Sequence, residues 1–182
     1  MKVTKEFLEQ LKGECGASNC AWIQVKDIVL DPGLRKNCEL NYCGEYGRTW
    51  VCPPHCGPIE ECIQKVGQYE QAVIIQTISP LEDSYDFEGM EEAAVNFGKV
   101  LLNAVKVIRE TAGDQDMLVL SAGGCHRCPT CAVKDNAPCR HPEEAFPSLE
   151  SHGIFVSDLA AKAGLNYING QNTVTYFGAV FM

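Results

Sequence analysis

No stretch of this chain approaches the roughly 20 consecutive apolar residues that a membrane-spanning helix needs, and none is expected to cross a bilayer. No secretory signal is evident either: Met1 to Glu14 reads as a charged amphipathic helix without an apolar core segment. Positive charge is scarce. Fifteen Lys and Arg stand against 24 Asp and Glu, a net charge of −9, whereas nucleic-acid binding demands a basic surface. The common catalytic signatures are missing: no G-x-S-x-G elbow, phosphate-binding Walker loop, H-E-x-x-H helix or dinucleotide fingerprint. Ser148, Glu150 and His152 crowd together, but i, i+2 spacing sends neighbouring side chains to different faces, which argues against a hydrolytic triad. Repeats, low-complexity tracts and linkers are absent too. The 182 residues read as one domain, 1–182, long enough to bury an ordinary core.

Cysteine is what the chain has in excess, eleven in all. An odd number without an export signal points to thiols in a reducing cytoplasm, not disulfides. Cys125, Cys128 and Cys131 follow one another at two-residue gaps, with Cys139 after a gap of seven and Pro142 beyond it. Soft thiolates select iron–sulfur clusters, zinc or copper(I), and bacterial ferredoxins seat a 4Fe-4S cube with C-x2-C-x2-C-x3-C-P. Structural zinc sites more often join two well-separated C-x2-C knuckles, so a cluster is the preferred reading and zinc the alternative. Gly123 and Gly124 allow close backbone approach to such a group. Arg140 is the nearest candidate for charge compensation, ahead of Arg127, His126 and His141.

The first half carries a less specific set. Cys38, Cys43 and Cys52 fall in an irregular segment, and Cys52 is followed by the stiff pair Pro53-Pro54. The fourth ligand is either Cys56, just ahead of a helix where the dipole favours a thiolate, or Cys62, one turn inside it. Cys15 and Cys20 read as structural.

Hydrophobic periodicity predicts helices over 4–12, from Pro58 to about Tyr69, from Glu88 to about Thr111, and over 143–151 and 156–163. Strands are expected over Ala21–Val25 with Asp27–Leu30, Ala72–Ile78, Met117–Ser121 and Val174–Phe181, with an ordered loop over 35–57. Such alternation predicts an α/β single-domain sandwich of a mixed sheet and helices, with two cysteine-rich metal-binding loops. The final strand fits either a sheet centre or an edge open to another subunit, and oligomeric state stays open.

Two blocks carry a resemblance. One is Cys38-x4-Cys43-x2-Tyr46-Gly47-x2-Trp50-x-Cys52-Pro53-Pro54, running on to Glu60-Glu61-Cys62. The other is Gly123-Gly124-Cys125-x2-Cys128-x2-Cys131-x7-Cys139-Arg140-His141-Pro142, then Ser148-Leu149-Glu150 and Gly153. From about Arg35 to the carboxyl end the chain resembles an uncharacterised family of small prokaryotic proteins catalogued as predicted metal-binding proteins. The resemblance implies a metal and assigns no reaction. It also implies that Cys62 belongs to the pattern, whereas the position of Cys56 is usually not cysteine. The expectation is therefore an iron–sulfur protein with one or two 4Fe-4S clusters, passing electrons to or from a redox partner protein that is neutral or basic. A zinc protein with four-cysteine sites is the alternative. A cluster-dependent enzyme with an open iron is a third reading.

Overall fold

A computed structural model describes residues 3–113 and 115–182. The first helix, α1 (Lys5–Cys15), starts where the Thr4 hydroxyl accepts from the Phe7 N–H at 3.2 Å, satisfying one orphan donor of the first turn. Gly16 ends it in the left-handed conformation, φ 81°, which glycine adopts without strain. Its buried residues Phe7, Leu11 and Cys15 recur at four-residue intervals, one face of a helix.

The sheet contains β1 (Asn19–Gln24), β2 (Gln71–Pro80), β3 (Leu118–Leu120) and β4 (Thr173–Phe181) in the order β1-β2-β4-β3. Every strand pair is antiparallel, with Ile75 opposite Gly178 and Leu120 opposite Ala179. Among the described residues, parallel pairing is confined to the isolated bridge between Ser121 and Ser148. The last strand, β4, lies between β2 and β3, so it is a sheet centre and not an edge.

Side chains alternate across the sheet and feed two cores. Val73, Ile75, Val119 and Val180 pack with α1 and with α4 (Phe87–Ala112) through Leu11, Phe97, Leu101 and Ile108. Ala72, Ile74, Leu120, Ala179 and Phe181 pack on the opposite face with Val66, Leu149, Ile154 and Leu159. The second face is covered by α3 (Ile59–Val66), α5 (Val156–Lys162) and the chain around 149–154. The result is the expected α/β fold, a sheet between helical layers, but the sheet is antiparallel where a mixed one was expected. Among the described residues no helix is long and apolar enough to cross a membrane.

The segment 35–57 opens with a short helix, α2 (Arg35–Glu39), and continues as turns. The strand expected over Asp27–Leu30 is replaced by a 3₁₀ turn at Val25–Asp27 and a single bridge from Leu30 to Ile154. The helix expected over 143–151 does not form. Pro147 has no N–H to give a helix. Instead the Ser121 N–H donates to the Pro147 carbonyl at 2.7 Å, and the Leu149 N–H donates to the Ser121 carbonyl at 3.0 Å. Only the 3₁₀ turn Glu150–His152 remains, and it packs against α2 and α3. That contact brings the two cysteine-rich segments together.

Candidate metal centre

Five thiols of the first half act on one another electrostatically. Cys38 sits in α2, Cys43 is exposed on the following turn, and Cys52 is buried. The charge of Cys43 reaches Cys38, and those of both reach Cys52; Cys52 in turn acts on Cys56. Burial pushes the Cys38 thiol up, opposed by the Arg35 guanidinium, and pushes Cys52 up, opposed by the Thr49 hydroxyl. Cys62 lies in α3, fully buried, and shares a hydrogen bond with the Cys56 thiol. The two sequence candidates for the fourth ligand are thus neighbours.

Around Cys62 the fold gathers positive charge. The Cys56 thiol, followed by His152 and Arg35, holds Cys62 at about 4, far below the usual thiol range, against the cost of burial. Cys56 keeps the shared proton, and its own ionisation is pushed up. The Ser151 hydroxyl has one proton and gives it to the Ser148 carbonyl at 2.7 Å. It must therefore accept from His152 Nδ1, 3.0 Å away. That puts a proton on Nδ1, and the bond to the Cys62 thiolate needs a second one on Nε2, so both ring nitrogens donate.

Arg35 is a buried cation. Its Nη1 donates to the Gly57 carbonyl at 2.9 Å. Its Nη2 donates to the Ser151 carbonyl at 3.0 Å and lies 3.6 Å from Cys62 Sγ and 3.9 Å from Cys56 Sγ. Among the described residues no carboxylate pairs with it, and its Nε has no hydrogen-bond partner. Buried charge is normally paired. Here the anions on offer are sulfur.

The second set is Cys125, Cys128, Cys131 and Cys139, all half-buried. Burial raises the Cys125 thiol, the Arg127 backbone N–H opposes this, and the charges of Cys139, Cys131 and Cys128 add to the rise. Arg140 is exposed and donates to the Thr130 carbonyl at 2.9 Å, tying the turn between Cys128 and Cys131 to the return at Cys139. Arg127 pairs with Glu144. Gly123 takes φ 66°, and a Cβ on Gly124 would stand 2.7 Å from Glu45 Cγ.

The sets meet. Glu45 of the first segment lies over Gly124 of the second, and Trp50 Nε1 donates to the Ala137 carbonyl at 3.0 Å. A cavity of about 280 Å³ between them is lined by Cys56, Cys139, His152, Trp50, Lys65 and Pro142 among others. As placed, no three His, Cys, Asp or Glu side chains among the described residues are spaced for a single metal ion. The donor set nevertheless fits a thiolate-bound metal: burial pushes the Cys38, Cys52 and Cys125 thiols up, and a metal supplies the positive charge that displaces their protons.

Arg35 and His152 were not singled out by sequence as site residues. Arg35 precedes Cys38 by three residues, a spacing that shares a helix face. His152 has no such signal, because its partner is ninety residues away in the chain. No curated protein and no solved structure matches the chain. A family model matches residues 21–182, spanning all nine candidate ligands. The chain belongs to that family, described as predicted metal-binding protein (DUF2284).

Proposed function

We propose that this metal-binding protein carries iron–sulfur clusters of the 4Fe-4S type, one on each cysteine set, and moves single electrons to or from a redox partner. The observation that supports this reading is that Cys56 of the first candidate set and Cys139 of the second line one cavity. Such a cluster supplies one-electron chemistry with a potential set by charge, hydrogen bonds and burial. The chain's own residues supply those terms. Arg35 and His152 bring positive charge and N–H donors to the first set. Trp50 and Pro142 line the space between the sets, limiting water there. Exposed Cys43 is where the first set comes nearest to solvent, the natural point of approach for a partner. With a net charge of −9 on the chain, a neutral or basic partner protein fits best.

One contact favours zinc as the second reading. The Cys56 and Cys62 sulfurs stand 3.9 and 3.6 Å from the same nitrogen, Arg35 Nη2, so both can face one ion, as in a four-cysteine zinc site.

Anaerobic purification with iron, sulfide and zinc analysis, alongside electron paramagnetic resonance, separates the two. The expected protein is brown, contains acid-labile sulfide and bleaches with dithionite. Cys128→Ser and Cys52→Ser should each remove one signal and leave the other. Colourless protein with stoichiometric zinc would overturn the redox reading.

A further inference from the structure

The strand β1 ends the sheet on one side, with β2 as its neighbour. The Val25 N–H donates to the Glu70 carbonyl at 2.9 Å, continuing the register that sets Ile23 opposite Ala72 and Ala21 opposite Ile74. In an antiparallel pair, residues that bond to the neighbouring strand alternate with residues that do not. Asn19, Ala21 and Ile23 therefore bond to β2. The N–H and C=O of Cys20 and Trp22, and the N–H of Gln24, point away from the sheet. Among the described residues nothing in the fold bonds to them.

Open edges invite another strand, and proteins usually guard them with lysine, proline, bulges or brevity. The opposite edge is guarded: β3 has three residues, and the chain at Pro147 and Leu149 bonds to Ser121 just beyond it. β1 has six residues, Asn-Cys-Ala-Trp-Ile-Gln, with no lysine and no proline. From Gly16 to Val25 the chain carries no charged side chain, in a molecule of net charge −9. Trp22 is 44% exposed there, on the face of the strand opposite buried Ile23.

We propose that two copies of this chain pair through β1, antiparallel, about a two-fold axis at Trp22, joining their four-stranded sheets into one. A second copy suits this edge because two molecules of equal net charge repel least where neither presents charge. A two-fold also lets one strand satisfy its own open groups reciprocally. In that pairing the two Trp22 residues exchange N–H···O=C bonds, and the Gln24 N–H of each copy donates to the Cys20 carbonyl of the other. The indoles lie side by side as an aromatic cross-strand pair. None of the nine candidate ligands lies in β1, so the pairing stands apart from the metal reading.

The test is sedimentation of the full metal-loaded chain in anaerobic buffer with reductant, over a dilution series, together with amide hydrogen exchange. The expected mass is twice the 20.0 kDa of one chain at high concentration, falling to one chain on dilution. The Trp22 and Gln24 amides should gain protection with concentration, whereas those of Ala21 and Ile23, bonded to β2, should be protected throughout. Trp22→Lys sets like charges opposite one another and should sediment as a single chain. Gln24→Pro removes an outward donor and no bond to β2. Gln24 has φ −77°, close to what proline imposes, and Ile23 before it is extended, as proline requires. This variant should keep the wild-type urea midpoint and lose the dimer. Val95→Lys, at an exposed position of α4, should pair as wild type does. A single-chain mass at every concentration overturns the proposal, as does a dimer that Gln24→Pro leaves intact. One chain carrying a smaller bound segment would give the edge to another protein and overturns it as well. If Trp22→Lys does not fold, Gln24→Pro decides.

Discussion

Arg35 is the side chain on which the first cysteine set depends most. Its guanidinium satisfies the Gly57 and Ser151 carbonyls and faces two thiols, with no carboxylate among the described residues to neutralise it. Arg35→Met keeps much of the apolar stem but removes the charge and orphans both carbonyls. Leaving a buried acceptor unpaired costs about 1–3 kcal/mol, and losing a partner that orients metal ligands typically weakens metal binding roughly 10–100-fold. The expected outcome is faster metal loss to a chelator from the first set, with the Cys125–Cys139 set retained, read as metal per chain against time. Glu150 works in the opposite sense. Burial raises its carboxyl above the ordinary glutamate value, opposed by its own backbone N–H and the Ser148 hydroxyl. A raised acid gives its full contribution below the unfolded value of about 4.3 and loses it as pH rises through the folded value. Glu150→Gln should therefore match wild type near about pH 4 and exceed it increasingly toward neutrality. Urea midpoints at each pH check this; a gain that does not vary with pH would mean that charge is not the cause.

At the scale of elements, packing tolerances follow from where helices cross strands. Gly178 in β4 faces α4. A Cβ there would stand 2.9 Å from the Leu120 carbonyl oxygen, 3.0 Å from Phe97 Cζ and 3.2 Å from Leu101 Cδ1. The first of these is backbone and cannot swing aside, so Gly178→Ala should cost about 1–3 kcal/mol, as overpacking does. Gly98, inside α4, meets nothing within 4 Å, and Gly98→Ala should stabilise by up to about 1 kcal/mol through helix propensity. Denaturant unfolding of both variants tests the pair. Elements with strong periodicity were legible in the sequence: α4, β2 and β4 repeat apolar residues at helical or strand spacing and lie where that spacing puts them. The stretch 143–151 was not, because its helical pattern contains Pro147 and its backbone groups pair with Ser121 beyond β3 instead. The same division holds at the site. The Cys125–Cys139 quartet is local and declares itself by spacing. Arg35 meets Ser151 across 116 residues, and no local pattern records such a contact.

Taken whole, the molecule separates its core from its metal chemistry. The two large apolar clusters are built from the sheet, α1, α3, α4, α5 and the 149–154 chain, and none of the nine candidate ligands except Cys62 sits in an element that forms them. The segments 38–56 and 122–146 are held by turns, by a few buried residues such as Val51, Ala132 and Val133, and by the Trp50–Ala137 bond. Single hydrogen bonds contribute only about 0.5–1.5 kcal/mol net, too little to order two cysteine-rich loops whose thiols repel once ionised. Metal binding should therefore be folding energy for these segments and not for the sheet. Removing the metal under anaerobic chelation should leave the cooperative unfolding transition in place. It should also raise hydrogen exchange at the amides of Gly47, Cys52, Cys56 and Ala137, whose bonds lie within the segments. The amides of β2 and β4, in the interior of the sheet, should stay protected, as the most stable units of a fold do. Loss of protection in β2 and β4 along with the loops would show instead that the metal holds up the entire domain, as zinc does in classical zinc fingers, and that the apolar clusters alone are too small to keep this chain folded.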